Sequence, residues 1–156
     1  MQHAGNVPRN VAQKWQFGVE IDGFPVAFFT KSTLPEVEFE ETLFQPGGAL
    51  YDQKMAGRPT FNDVEMEKGI PQDDSDMSLL DWVRQCINVS QGTGTAPAAY
   101  MKDVDIVRYK RDGSVHKRYR LYDAWVKTAN FGELEGGSSD ADIEKMTLCY
   151  QYFDVV

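Results

Sequence analysis

The stretch from Asp103 to Lys127 constrains the fold more than any other part of the chain, because it reads as a long two-stranded hairpin. Val104 and Ile106 alternate with polar residues before Asp112-Gly113, a dipeptide typical of tight hairpin turns. A hairpin alone is marginally stable in water, so other strands must pair with it or pack on it. The stretch therefore predicts a mainly β domain centred here. The apolar residues expected to point into its core after the turn are Tyr119, Leu121 and Trp125.

Shorter alternating runs on either side predict further strands. Residues 17–21 alternate and precede Asp22-Gly23, a second hairpin signal. Residues 36–40 place Val37 and Phe39 among glutamates, which predicts a strand with one acidic face. The last strand is predicted over about residues 143–153. Its apolar face consists of Met146, Leu148, Tyr150 and Tyr152.

One segment has helical periodicity, and its apolar side chains form a single stripe with Trp82 beside it. Three aspartates, at positions 73, 74 and 76, precede it, where they favour the positive end of the helix dipole. The sequence therefore predicts one helix against the sheet. Its stripe consists of Leu79, Leu80, Val83, Cys86 and Ile87.

Residues 41–60 break the strand pattern, because Gln45-Pro46-Gly47-Gly48 does not fit a regular element. They predict a long loop, and long loops in compact domains are usually functional or disordered. The loop carries apolar side chains, so we expect it to dock either on its own domain or on a neighbouring molecule. The candidate subunit-interface residues are Leu43, Phe44, Tyr51 and Met55.

Length and charge bound the remaining possibilities. The 156 residues suit a single domain over 1–156, with residues 1–12 as a flexible N-terminal arm. The formal net charge of -8 argues against a surface that grips nucleic acid. The apolar runs are too short to cross a bilayer, and the polar start lacks the apolar core of a signal peptide. Cys86 and Cys149 are far apart and are predicted to be reduced thiols.

The sequence predicts no catalytic, cofactor or metal site. His3 and His116 are the only histidines, and no nucleophile motif accompanies either of them. Asp140, Asp142 and Glu144 are spaced as in a calcium loop, but Lys145 stands where that loop needs glycine. A structural or interaction protein is therefore favoured over an enzyme. A monomeric ligand-binding barrel and a hydrolase using His116 are the alternatives from other classes.

From about Trp15 to Tyr152 the sequence resembles the tail tube proteins of contractile bacteriophages, which are related to the tube proteins of contractile injection systems. The resemblance rests on short motifs in the family's order. Three positions depart from the pattern: Val126 replaces a usual proline, Asp123 replaces a commoner asparagine, and residues 29–31 lack a frequent Ser-Gly-Leu. The motifs are Phe17-x-Val19-Glu20-Ile21-Asp22-Gly23, Val37-Glu38-Phe39-Glu40, Gly57-x-Pro59-x-Phe61, Val64-x-Met66-x-Lys68-Gly69, Leu79-x-x-Trp82-Val83, Val104-x-Ile106, Gly113, Asp123-Ala124-Trp125 and Ile143-Glu144-Lys145-Met146-x-Leu148-x-Tyr150.

The resemblance implies a β-sandwich or small barrel with one flanking helix and a long protruding loop. It also implies a non-enzymatic structural subunit that forms hexameric rings, stacked into a hollow tube through which DNA passes without specific binding. The implied partners are further copies, the tail sheath protein, the baseplate and the tail terminator. The implied location is the virion tail, assembled in the host bacterial cytoplasm. The alternative is the tube subunit of a secretion or extracellular contractile injection system.

The charge pattern adds one hypothesis to this resemblance. The outer row of the central hairpin is predicted to be basic, so the acidic excess must lie elsewhere. Acids lining a bore would repel the phosphates of passing DNA and keep it from sticking. The candidate lumen acids are Glu36, Glu38 and Glu40, and the basic outer row consists of Arg108, Lys110, Arg118 and Arg120.

Overall fold

The computed structural model describes residues 14–22, 29–70, 78–87, 91–94, 96–137 and 139–156. The predicted N-terminal arm and the three aspartates before the helix lie outside these residues. The elements of the described chain are β1 (Phe17–Ile21), β2 (Phe29–Ser32), β3 (Glu36–Phe44), β4 (Gln53–Asn62), β5 (Val64–Gly69), α1 (Ser78–Cys86), α2 (Pro97–Tyr100), β6 (Lys102–Tyr109), β7 (Val115–Asn130), β8 (Ile143–Cys149) and β9 (Tyr152–Val155).

The predicted central hairpin is confirmed as the antiparallel pair of β6 and β7. Its turn has the chemistry that the sequence indicated. Gly113 has a φ of 91°, and the Asp112 carboxylate accepts a hydrogen bond from the Ser114 backbone N–H at 2.9 Å. Glycine reaches this left-handed region without steric cost, which fixes the position of the turn.

Strand β7 belongs to two groups of strands and joins them. Its first part pairs with β6 on one edge and β9 on the other, and its last part pairs with β8. We call β1, β6, β9 and the first part of β7 the front half-sheet, and β2, β5, β8 and the last part of β7 the back half-sheet. The change occurs next to Asp123, whose φ of 52° interrupts the extended backbone.

The core lies between the two half-sheets, and α1 contributes to it. Val19, Ile106 and Leu121 come from the front half-sheet, and Met66 and Leu148 come from the back half-sheet; all five side chains belong to one buried cluster. Two packed half-sheets with a common core and a flanking helix are the mainly β fold expected from the sequence. The buried helix residues are Leu79 and Trp82.

The sequence predicts Trp125 in the core, whereas the structure buries Trp82 there. Trp82 is 0% exposed and donates its indole N–H to the Tyr100 carbonyl oxygen at 2.7 Å. Trp125 is only half-buried. The positive φ of Asp123 shifts the alternation of β7, so that Ala124 and Val126 point inward instead. The prediction that Trp125 points into the core, together with Tyr119 and Leu121, was therefore wrong for Trp125.

Two predicted strand arrangements were also wrong. β1 pairs with β6 and β2 pairs with β5, so Asp22-Gly23 does not close a hairpin between β1 and β2. Period-two alternation carries no information on which strands become partners. The last strand is divided into β8 and β9. The break moves Tyr152 to the outside, where it stacks on Tyr122 with ring centroids 4.6 Å apart.

The outer face of the front half-sheet carries a network of charges. Arg118 donates to Asp105 at 2.8 Å and to Glu20 at 2.6 Å, and Arg120 Nε donates to Asp105 at 2.8 Å. The Arg120 and Arg118 hydrogen bonds hold the pKa of Asp105 below its ordinary value, although burial of the carboxylate opposes them. These arginines are therefore neutralised within the subunit.

The predicted basic outer row does not hold along its whole length. Val107 lies opposite Arg118 in the register, so Arg108 belongs to the opposite face with Ile106. The half-sheet ends near this point, which leaves the inner face of β6 open to solvent and accommodates an arginine there. Lys110 is exposed beside the turn.

Candidate assembly surface

The segment predicted as a long loop, residues 41–60, is mostly an antiparallel hairpin formed by β3 and β4. Only residues 45–52 form the connecting tip, which contains the Gln45-Pro46-Gly47-Gly48 signal. Both faces of the hairpin are largely exposed, so burial imposes no period-two pattern on its sequence. The long-loop prediction was wrong for this reason, although the protruding position was anticipated.

A bulge interrupts the hairpin near its middle. Phe39 pairs with Pro59 and Glu41 pairs with Ala56, so one β3 residue faces two β4 residues, Gly57 and Arg58. A Cβ atom on Gly57 would lie 2.8 Å from the Glu40 carbonyl oxygen. Only glycine allows this close backbone approach, and bulges of this kind strengthen local twist.

The two faces of the hairpin differ in chemistry. We call the face with Val37, Phe39, Leu43 and Phe61 the apolar face, from the register and the alternation of side chains along each strand. The opposite face, the acidic face, carries the three candidate lumen acids together with Phe44 and Met55. Asn62 donates to Glu38 on this face at 3.2 Å. The acidic face contains Glu36, Glu38, Glu40, Phe44 and Met55.

The four candidate interface residues are all exposed and divided between different parts of the hairpin. Leu43 lies on the apolar face, Phe44 and Met55 on the acidic face, and Tyr51 at the tip. Phe44 is 55% exposed and Tyr51 is 73% exposed. Sequence reasoning did not select Leu50, a fully exposed tip residue, as an interface candidate, because only the structure distinguishes tip from strand.

The root of the hairpin is firmly anchored in the body. The centroid of the Phe61 ring lies 6.1 Å from that of the Tyr150 ring and 5.8 Å from that of the Phe153 ring, which it meets edge to face. Asp63 binds Lys127 at 2.9 Å. Tyr150 is 5% exposed, and this burial raises the pKa of its hydroxyl to about 12. An exposed limb on an anchored root can present its side chains in a fixed geometry.

Several strand edges carry no partner strand within the described part of the chain. These include the outer edges of β1 and β9 in the front half-sheet, of β2 in the back half-sheet and of both hairpin strands, β3 and β4. Unpaired backbone N–H and C=O groups along such edges are templates for pairing with another chain. The edges and the hairpin together form an extensive surface suited to assembly.

The chemical inventory of the same residues is sparse. Among the described residues, no group of three or more His, Cys, Asp or Glu side chains is arranged to hold a metal ion. Cys86 and Cys149 are free thiols, and burial raises the pKa of both, which disfavours the reactive thiolate. In the described chain, no helix is both long and apolar enough to span a membrane.

An anchored hairpin exposed on both faces, together with unpaired strand edges, defines the chain as a structural subunit built for assembly. The sequence matches the family model of the T4-like virus tail tube protein gp19 over residues 13–154, and the chain belongs to that family. It is a tail tube structural subunit, as the sequence resemblance predicted. No curated protein sequence matches it significantly.

Solved structures with the same fold come from related assemblies. The tube-terminating cap of the anti-feeding prophage aligns at 15% identity with a TM-score of 0.77, over 96% of this chain and 93% of that chain. The sheath-tube complex of the extracellular contractile injection system PVC aligns at 15% identity and 0.74, over 100% and 98%. Hcp1 from Flavobacterium johnsoniae aligns at 10% identity and 0.57, over 90% and 94%. At these identities the likeness concerns the fold.

Proposed function

We propose that this chain closes into hexameric rings that stack into the hollow tube of a phage tail, through which DNA passes into the host. The observation that carries the proposal is the β3–β4 hairpin, which exposes large apolar side chains on both faces while its root is packed into the body. Apolar side chains exposed to water on this hairpin raise the free energy of the isolated subunit, and burying them against another subunit removes that cost.

Ring closure follows from the free edges of the front half-sheet. Pairing the β1 edge of one copy with the β9 edge of the next is a head-to-tail contact, and such contacts generate rings when the rotation closes. Closing a sheet on itself also removes exposed edges, which otherwise invite disordered aggregation. The hairpin is then free to reach an adjacent ring.

The subunit acts by position and charge rather than by catalysis. In the assembled tail it meets the sheath protein, the baseplate and the tail terminator, and it is built into the virion tail in the host bacterial cytoplasm. The part of the acidic face between the root and the bulge, with Glu36, Glu38 and Glu40, lines the bore and repels DNA phosphates, so that DNA slides without specific binding; Phe44 lies beyond the bulge, where it is free to dock on another subunit. A basic bore in a map of the assembled tube would contradict this assignment.

Negative-stain microscopy of purified protein tests the proposal. The double variant Phe44→Ala with Tyr51→Ala is expected to shorten or abolish tubes while its melting temperature stays near that of the wild type, because both side chains are exposed in the subunit. Leu134→Ala is the matched control, since Leu134 is 94% exposed but lies outside the hairpin. If the double variant instead loses subunit stability along with tube formation, the two side chains belong to the subunit's own core, and the docking role is refuted.

A second candidate is the tube subunit of a secretion or extracellular contractile injection system, which carries proteins rather than DNA. The structural similarity to solved assemblies of contractile injection systems supports this second candidate. Genes beside the coding sequence separate the two: capsid and terminase genes accompany a phage tail, whereas genes for a secretion baseplate without a capsid accompany the alternative.

A further inference from the structure

A groove of about 590 Å³ opens between β1 and β2, where the two half-sheets are not joined by strand pairing. Its floor includes Ile106, a residue of the buried core, and its walls include Trp15 and Leu34. The volume lies in the range of clefts that accept sizeable ligands. The groove therefore ends against the side of the sandwich core, where Ile106 is 1% exposed.

The rim of the groove is positively charged. Lys14, Lys31 and Arg108 surround the opening, and none of the described residues that line it is acidic. An occupant should consequently combine large apolar side chains with negative charge. That requirement points away from a neutral lipid or a cationic partner.

The tip of the β3–β4 hairpin has this chemistry. Leu50 is fully exposed, Tyr51 is 73% exposed, and the neighbouring Asp52 is the only charged residue between positions 45 and 52. Over residues 36–62 the hairpin carries five acidic and two basic residues, so its approach to a basic rim is favoured.

Geometry requires the tip to come from another copy. The groove lies at the root of the hairpin, since Ser32 and Leu34 line it and β3 begins at Glu36. The nine residues of β3 extend the tip about 30 Å from that root, and the Phe61 anchor prevents the limb from folding back. If the tip of one copy binds at the root of the next, successive copies are displaced by about 30 Å, and the same contact can repeat indefinitely.

We propose that Leu50 and Tyr51 of one subunit insert into the β1–β2 groove of a subunit in the adjacent ring, with Asp52 facing Lys14, Lys31 and Arg108. This inference rests on the proposed tube function and identifies the receiving surface for the hairpin. It assigns the axial contact to tip and groove, and it leaves the β1 and β9 edges to the contacts within a ring.

Disulfide trapping between separately labelled copies tests the contact. Leu34→Cys protein is mixed with Tyr51→Cys protein under assembly conditions and oxidised. A covalent dimer is expected at least about tenfold more abundant than with the control partner Leu134→Cys, whose side chain is also exposed but lies far from the groove in sequence. Mixing single variants excludes trapping within one chain.

The outcomes are distinguishable. Tubes that form without a 34–51 cross-link, or with equal cross-linking to position 134, overturn the groove assignment but leave the tube function intact. Wild-type protein that never forms rings or tubes overturns both. Should the cysteine variants fail to assemble, Lys31→Glu is compared with Arg84→Glu, an equal charge change on the exposed face of α1. The groove variant is expected to raise the protein concentration needed for stacking roughly tenfold, and an equal effect of both variants overturns the inference.

Discussion

Replacing each of two tryptophans by alanine tests the assignment of the core most sharply. Trp82 is 0% exposed, donates a hydrogen bond of 2.7 Å to the Tyr100 carbonyl oxygen, and lies beneath the Lys102 ammonium, 5.3 Å from the ring centroid. Truncating a fully buried aromatic side chain costs about 3–5 kcal/mol of unfolding free energy. The orphaned Tyr100 carbonyl adds about 1 kcal/mol if water does not replace the indole.

Trp125 is the matched comparison, because it lies in β7 and is only half-buried. Its truncation is expected to cost about 1–2 kcal/mol, in proportion to the smaller apolar area removed from contact. Urea denaturation followed by far-ultraviolet circular dichroism measures both variants without depending on tryptophan fluorescence. A larger loss for Trp125→Ala than for Trp82→Ala would refute the inward positions assigned to Ala124 and Val126.

Three further predictions concern charge, the hairpin and the buried tyrosine. Asp105→Asn is expected to lose about 2 kcal/mol at neutral pH. Hydrogen bonds from Arg120 and Arg118 lower the Asp105 pKa in the folded protein. The ionised carboxylate therefore stabilises the fold fully above its ordinary pKa of 3.8, and this stabilisation is lost as the pH falls through the lowered pKa. In chemical denaturation, the unfolding free energy of the variant should therefore fall less steeply at acidic pH than that of the wild type. Gly57→Val should abolish tubes without lowering the melting temperature of the body appreciably, since a Cβ there meets the Glu40 carbonyl, whereas Gly47→Ala, with open space around it, should assemble normally under the microscope. Tyr150 should titrate near 12 by difference absorbance; its protonated form contributes stability that is complete below 10.0 and lost as pH rises through about 12, so Tyr150→Phe should remove that part of the alkaline destabilisation.

The β6–β7 turn and helix α1 were predicted correctly, because residues close together in the sequence determine both of them. Asp112-Gly113 fixed the β6–β7 turn because the geometry of a tight hairpin selects those residues. The apolar stripe around Leu79 predicted α1, because one helix face must be buried. The exposed Ile87 shows where that stripe leaves the core.

The errors arise where the backbone departs from its period or where burial provides no pattern. The positive φ of Asp123 moved Trp125 out of the register expected from alternation. The β3–β4 hairpin is exposed on both faces, so its strands looked irregular. Partner choice between β1, β2, β5 and β6 depends on long-range packing that alternation does not encode.

The candidate site was partly predictable for related reasons. Apolar residues in a Pro- and Gly-containing stretch predicted Phe44 and Tyr51 as contact residues, and both side chains are exposed in the subunit. The groove was not predictable, because Arg108 in β6 meets Lys31 in β2 and the nearby Leu34 only in the folded sandwich. In the sequence, the charges of Lys31 and Arg108 are indistinguishable from those of an ordinary solvated surface.

We propose that the free strand edges and the hairpin are completed by further copies of the same chain. A cryo-electron microscopy map of the concentrated, purified protein tests it directly. We expect six-fold rings in which the β1 edge of each copy is hydrogen-bonded to a strand of its neighbour. A population of isolated subunits with both edges unpaired under every assembly condition would contradict it.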